Sequence, residues 1–523
     1  MHSLGKVHLF DWDEINFAES AREMLVTENY ARVQIDYQPF WEKPPLFFWM
    51  QAAAMNIFGV GEYAARLPNA ICGVLTLLLI FYVGKRLDSV YLGGIWVLCY
   101  TGAFLPHFYF KSGIIDPFFN FFMFASLLCF ALYFRQARLH LAIAAGLFTG
   151  LAVLTKGPVG LLVPALVVFL YVLYKKEWKK LLSWHVPVFL FLLIAVSFLW
   201  YGVELMQNGF WFFEAFISYQ LRLLSTEDSG HGAPFYYHFL VLLMGCFPVS
   251  LLLFQPKAQQ YGRTEDARYF QLWMWLLLIV ILLVFSLVKT KIVHYSSFAY
   301  FPITFLAAIV LRNLWANPAW KLKWWVKILL LLLGIPIGLS FALLPLAAQH
   351  HSLWVPHIND SFAAANLQAE VYWPFWWIIF GLFFLLALAV IFVPPVRRNV
   401  GQRFVFFLII NTLIIQALMT LYVPKIEGYS QRAAIEFYKT LQGKDVYVEV
   451  LGYKSYAHLF YSRKLPEQSV PPDERHSLLQ GRIDKPAYFV TKTGKEEKYL
   501  KKYPLKLLYE KNGFVFMKRL PLD

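Results

Sequence analysis

The stretch FDWDEINFAESAREMLVTENYARVQIDYQPFWEKPP, residues 10–45, gathers acids and bases at the start of a chain that is otherwise mostly apolar. Asp11, Asp13, Glu14, Glu19, Arg22 and Glu23 crowd together in it, and Glu42 and Lys43 precede a Pro-Pro pair. Between Asp13 and Thr27, the residues Phe17, Ala21, Met24 and Leu25 fall at helical spacing, with acids at the start where the helix dipole favours them. That pattern predicts a juxtamembrane helix. The aromatic run from Tyr30 to Trp41 reads as irregular, because Pro44 and Pro45 disfavour a helix leading up to them. Whether these charges form a solvated face or the lip of a site depends on the rest of the chain.

Of the 523 residues, 59% are hydrophobic, 19% aromatic and only 15% charged, against about 25% charged in soluble domains. A bilayer core about 30 Å thick needs about 20 apolar helical residues. Apolar runs predict spans at 67–84, 90–106, 116–134, 139–155, 158–174, 184–204, 235–255, 269–288, 295–314, 325–347, 371–393 and 404–422. The sequence therefore predicts a mainly α, polytopic bundle of about twelve spans. The segment 45–58 is too short to span and is expected to lie at the interface or pack as a short helix.

A formal net charge of +15 could signal nucleic acid, but its placement argues otherwise. Taken alternately, one set of loops holds 17 basic residues, from Lys85 and Arg86 to Arg397, Arg398 and Arg403, and the other holds five, Lys111, Lys156, Arg222, Lys289 and Lys291. Lys and Arg in short loops mark the cytoplasmic side. Most of the charge is therefore topological, with no nucleic acid partner implied, and residues 10–45 face outward with everything after Val423. Because no span precedes that outward segment, an upstream transmembrane helix is expected. The four cysteines, Cys72, Cys99, Cys129 and Cys246, all fall inside predicted spans and read as small core residues.

After Val423 charge becomes frequent. Ser430 to Gln442 reads as a helix, Asp445 to Leu451 as a strand, Tyr453 to Tyr461 as a helix, and Ala487 to Thr491 and Leu507 to Met517 as further strands. A small soluble α/β domain is expected over residues 423–523, behind a membrane domain over residues 1–422 whose first outer loop covers 10–66. A helix is also expected from Trp211 to Leu224, in the third outer segment.

Outward cations break the topological rule, and ionisable groups near the membrane need a partner or a task. Each alone reads most simply as a solvated loop residue or a snorkelling anchor. Together, Lys43, Lys111, Lys156, Arg222, Lys289 and Lys291, with aromatics around them, suit an anionic lipid headgroup. Free nucleotide sugars are absent outside the cytoplasm, so a transferase there needs a polyprenyl-phosphate sugar. Displacing phosphate from a sugar carbon requires a carboxylate to orient the acceptor hydroxyl. Asp13, with Glu14 beside it, and Asp116 in KSGIIDP are the candidates, although either Asp is equally suited to capping a helix. Glu42 and His231 could share a divalent metal, a weak pattern with only two ligands. A flippase of lipid-linked sugars is the reading from another class, but it favours internal repeats, which the sequence lacks.

The ordered segments DWDEINFAESAREML, FWEKPPLFFW, GVGEYAARLPNA, DPFFNFF, LTKGPVGLL, HGAPFYY and FSLVKTKIVHY, across about Phe10 to Leu311, resemble two related families. These are the bacterial lipid A 4-amino-4-deoxy-L-arabinose transferases and the dolichyl-phosphate-mannose-protein mannosyltransferases, PMT-type membrane glycosyltransferases of the GT-C fold. The resemblance implies an inverting transferase of the inner membrane with its site and C-terminal domain toward the periplasm, and a lipid A-like or protein acceptor. It implies that Asp13 is the essential acid of the first outer loop and Asp116 the second acid. Lys43 would contact the carrier phosphate, and His294 and Tyr295 would line the donor end. Three residues after the acid, the aminoarabinose enzymes tend to carry Arg; here Asn16 stands there, a departure that bears on which sugar is transferred.

Overall fold

The helix expected at Asp13–Thr27 forms, whereas the run read as irregular holds a short hairpin, and together they become the keystone of one end of the molecule. The structure, a computed structural model, describes residues 3–40, 42–210, 214–218, 222, 232–256, 260–393 and 399–521. Helix α1 spans Asp13–Thr27, with Asp13 and Glu14 in its first turn, and ends where Glu28 turns left-handed. Next, β1 (Gln34–Ile35) and β2 (Gln38–Pro39) form a tight hairpin. Its two turn residues, Asp36 and Tyr37, both have positive φ, the geometry a two-residue hairpin needs. Their backbone N–H groups donate to the Glu23 carboxylate, at 2.6 and 2.9 Å, so α1 fixes the turn.

The bundle follows as α2 (Leu46–Phe58), α3 (Glu62–Leu87), α4 (Val90–Thr101), α5 (Phe104–Tyr109), α6 (Asp116–Gln136), α7 (Leu139–Lys156), α8 (Val159–Lys175) and α9 (His185–Asn208). It continues with α10 (Tyr237–Gly245), α11 (Glu265–Leu287), α12 (Tyr300–Ala316), α13 (Trp324–Gln349), α14 (Ser361–Leu367), α15 (Ile378–Val390) and α16 (Val400–Glu427). Among the described residues, eight helices are long and apolar enough to cross a membrane, as in a multi-pass membrane protein. The segment Val293–Ala316 is 94% buried and forms the hub, whereas α9 is 17% buried and turns its apolar side chains outward.

Several runs predicted as continuous spans are shorter or broken. The run 90–106 splits at Gly102, whose backbone packs against Leu408 and whose carbonyl accepts a hydrogen bond from Asn411 Nδ2 at 2.8 Å. That side chain satisfies a carbonyl the broken helix leaves open. The run 235–255 ends as a helix at Gly245, because Pro248 lacks the N–H to continue it, and resumes as a 3-10 turn, Val249–Phe254. The short α2 packs on α1 and α3, as expected for a segment that does not span. The expected helix 211–224 falls largely outside the described residues; 214–218 are helical.

Beyond α16 lie α17 (Arg432–Lys439), β3 (Tyr447–Leu451), α18 (Ala457–Ser462), α19 (Ser477–Gln480), β4 (Ala487–Lys492), α20 (Glu496–Lys502), β5 (Lys506–Lys511) and β6 (Phe514–Arg519). The sheet order is β3-β4-β6-β5, with β3 parallel to β4 and the other pairs antiparallel. This small C-terminal domain shares a core with the first outer loop: Ile15, Ala18 and Ala21 of α1 and Met55 of α2 join Ile435, Phe437, Tyr438 and Phe460. A buried ion cluster reinforces the junction, with Lys464 Nζ 3.0 Å from Asp36 and 2.9 Å from Glu449, and Arg475 also paired to Asp36.

Removing one member of a buried ion cluster costs about 3–5 kcal/mol, because its partners stay buried and unpaired. Lys464→Met is therefore expected to lower the melting temperature in detergent and to expose the α16–α17 junction to proteolysis at lower protease concentration than in the parent protein.

Candidate active site

Five charged or ionisable side chains from five elements converge where α1, α6 and α7 meet the turn before α12. Asp13 opens α1 and Asp116 opens α6, so both carboxylates stand at helix N-termini, where the dipole favours their charge. Lys156 is the last residue of α7, and its Nζ donates to Asp116 Oδ1 at 2.6 Å. His294 lies in the 3-10 turn Val293–Ala299, with Nε2 3.4 Å from Asp13 Oδ2. Lys43 stands just before α2, 3.9 Å from Glu42, within electrostatic reach of Asp13, Asp116 and Lys156. Burial pushes the Lys43 ammonium below its ordinary range, and the nearby carboxylates pull it partly back.

The local sequence explains the convergence. Gly157 adopts a φ of +90°, closed to most side chains, which lets the chain reverse between α7 and α8 directly after Lys156. The Lys156 ammonium lies over the Phe119 and Tyr295 rings, at 5.5 and 5.6 Å, so apolar walls sharpen its charge. Asn120 Nδ2 donates to Ser297 Oγ at 2.8 Å, and His238 Nδ1 lies 3.1 Å from Ser296 Oγ. These bonds tie the His294 turn to α6 and α10. Asp116 is almost fully buried, and its Oδ2 has no hydrogen-bond partner among the described residues. Asp13, in contrast, keeps 34% of its side chain exposed.

The residues expected at the site divide. Asp13, Asp116, Lys43, His294 and Tyr295 come together, and Lys156, which the outward charge count marks without assigning it a role, joins them. Glu14 turns the other way. Its carboxylate accepts from Arg66 Nε and Nη2 at 2.9 and 2.8 Å, and from the backbone N–H groups of Phe10 and Gly113. Those partners hold it ionised below the usual carboxylate range against the opposing effect of burial. Lys291 caps the end of α11, donating to the carbonyls of Phe285, Ser286 and Val288. Lys289 and Arg222 are exposed, and Lys111 donates to Gln416 Oε1 of α16. His231 lies outside the described residues. Among the described residues, no three His, Cys, Asp or Glu side chains gather as a metal ion would need.

The C-terminal domain reaches the rim of this site. Trp12 packs on Tyr456, with ring centroids 4.9 Å apart. Burial pushes the Asp11 carboxyl up to about 6, and hydrogen bonds to Ser455 and the backbone of Tyr456 partly offset this. Asp11 therefore holds a proton in the folded state over a range where the unfolded chain has lost it. Its contribution is fully present below about pH 4 and is lost as pH rises through about 6. Asp11→Asn is expected to flatten that decline, read as melting temperature against pH between 4 and 7. Lys156→Met should leave Asp116 buried and unpaired and cost about 3–5 kcal/mol. The double variant Lys156→Met with Asp116→Asn should regain part of it, as thermal unfolding in detergent would show.

Comparison with known proteins agrees with this arrangement. A family model described as dolichyl-phosphate-mannose-protein mannosyltransferase matches residues 42–201. The chain is 26% identical over 381 residues to the undecaprenyl phosphate-alpha-4-amino-4-deoxy-L-arabinose arabinosyl transferase of Edwardsiella ictaluri, covering 71% of this chain and 67% of that one. It is 29% identical over 322 residues to a second such transferase, from Pseudomonas fluorescens, covering 59% and 57%. The chain thus spans between about half and two thirds of the length of the curated relatives it matches. Two crystal structures of ArnT from Cupriavidus metallidurans, one bound to undecaprenyl phosphate and one in the apo state, superpose with TM-scores of 0.77 and 0.78 at 20% and 18% identity. Each match covers 99% of this chain and 95% of the other. Over nearly its whole length the chain has the fold of these proteins, and it resembles the PMT-type membrane glycosyltransferases of the GT-C fold.

Proposed function

We propose that the protein moves a sugar from a polyprenyl-phosphate donor to a lipid A-like or other envelope acceptor, with inversion, at the periplasmic face of the inner membrane. The observation that carries this reading is the meeting of Asp13 and Asp116 with Lys43, Lys156 and His294 at one end of the bundle. The names of the relatives, which act on undecaprenyl-phosphate aminoarabinose, support the donor class. So does the neighbouring structure with undecaprenyl phosphate bound. The scarcity of Lys and Arg in the loops at this end supports an outward orientation.

The roles follow from exposure and pairing. Asp13 is accessible and accepts the proton of the acceptor hydroxyl as its oxygen bonds to the anomeric carbon. The bond from that carbon to the donor phosphate breaks, and the electron pair leaves with the phosphate, whose charge Lys43 and Lys156 neutralise. One displacement inverts the anomeric centre. Asp116, tied to Lys156 at 2.6 Å, keeps that ammonium aimed into the site. His294, beside Asp13, orients the carboxylate. A protein acceptor is the second reading, favoured by the description of the matching family model; the mass of lipid A against that of envelope glycoproteins, with and without the gene, separates the two.

Losing a general base costs about 10²–10⁴-fold. In membranes supplied with lipid-linked sugar, Asp13→Asn is expected to lower the turnover rate by that order. Lys43→Ala should act mainly by raising the KM for the donor. Undiminished transfer in both variants would sink the assignment.

A further inference from the structure

Lys111 belongs to a different surface from the reaction centre. It follows α5, and its ammonium reaches sideways to Gln416, eleven residues before the outer end of α16 at Glu427. At a rise of about 1.5 Å per residue, that is about 16 Å below the helix end. The partner of Lys111 is therefore a polar side chain well inside the length of an apolar helix and not at that helix's end. Gln416 is exposed on the outer surface of α16 and bonds in turn to Thr420 at 3.3 Å. His107 of α5 lies within electrostatic reach of Lys111 and hydrogen-bond reach of Gln416. The cleft beside them is walled by Leu4, Val7, Phe108, Met419 and Val423, with Ser112 adding a hydroxyl. Burial pulls the Lys111 ammonium down to about 8. The one carboxylate lining the cleft, Glu14, is committed to Arg66.

We infer that the notch formed by Lys111, His107, Gln416 and Thr420 binds the phosphate of an anionic lipid in the outer leaflet, at a place separate from the Asp13–Asp116 centre. A cation desolvated among apolar walls gains from an anion brought to it. The apolar walls suit the glycerol and first methylenes of a lipid, and the amide and hydroxyl on α16 suit its ester oxygens.

Native mass spectrometry of the full chain, released from micelles doped with phosphatidylglycerol or phosphatidylcholine, tests this without reference to transfer. The parent protein is expected to retain phosphatidylglycerol about tenfold over phosphatidylcholine, and Lys111→Gln to lose that preference, which corresponds to about one charge-assisted hydrogen bond. Gln416→Leu should weaken the preference in part, and Lys43→Ala should leave it intact. Loss of the preference in Lys43→Ala but not in Lys111→Gln would put the lipid phosphate at the reaction centre and overturn the inference. Displacement of phosphatidylglycerol by millimolar inorganic phosphate would also overturn it, since the notch would then read free phosphate. The readout is lipid retention, so a failure of the transferase reading would leave it standing, and the reverse also holds.

Discussion

The carboxylate of Glu14 is the constraint on which the acid-bearing end of the molecule depends. One buried side chain binds the guanidinium of Arg66 on α3, the N–H of Phe10 ahead of α1, and the N–H of Gly113 three residues before Asp116. Arg66 then donates to the carbonyls of Leu4 and Val7 at 2.8 and 2.7 Å and to that of His8 at 3.0 Å. The segment that carries Asp13 and the loop that delivers Asp116 are therefore registered against the same atoms. A buried pair contributes little net stability relative to a well-packed apolar pair. Its value here is positional, because two acids from distant parts of the chain must arrive together.

The C-terminal domain serves the same end from the other side. Its core is continuous with α1 and α2. Arg22, held by Glu19, donates to the carbonyl of Lys464 at 2.8 Å, and Tyr37 donates to the same oxygen at 2.6 Å. The segment from α1 to α2 is thus clasped between the helical bundle and the small C-terminal sheet domain. This accounts for its burial: nearly every residue of α1 from Glu14 to Met24 is inside, although the sequence of that helix is among the most polar in the chain. A buried helix carrying this many charges is stable only if they find partners, and here each of Glu14, Glu19, Arg22 and Glu23 has one.

That burial also marks how far the sequence could be read. Apolar run length and the distribution of Lys and Arg were enough to give a multi-pass bundle with the acid cluster and the C-terminal domain at one end. The roles of Asp13 and Glu14 were not separable, because adjacent residues on a helix point about 100° apart and nothing local says which faces Arg66. Lys291 looked like one more outward cation, yet it folds back on the carbonyls that end α11. Lys156 was visible only as a charge in the wrong loop; its role emerges when α7 is laid beside α6. The breaks at Gly102 and Pro248 escaped hydropathy because Gly and Pro sit inside runs that remain apolar throughout.

The pairing inside the site bears on how it can take a phosphate. Lys156 already has Asp116, so an incoming anion gains from that lysine only by sharing it. Burial disfavours the charged form of Lys43, and its neighbours include another ammonium as well as carboxylates. A phosphate arriving there relieves the repulsion between Lys43 and Lys156 and favours the charged form of Lys43. In a low-dielectric site both effects are larger than in water. The same phosphate would stand close to the carboxyl groups of Asp13 and Asp116. On the proposed mechanism Asp13 takes up the acceptor's proton as the phosphate departs, so the leaving phosphate becomes better tolerated as transfer proceeds. On that proposal the arrangement favours the charge distribution of the transition state over that of the bound donor, which is the direction that raises turnover.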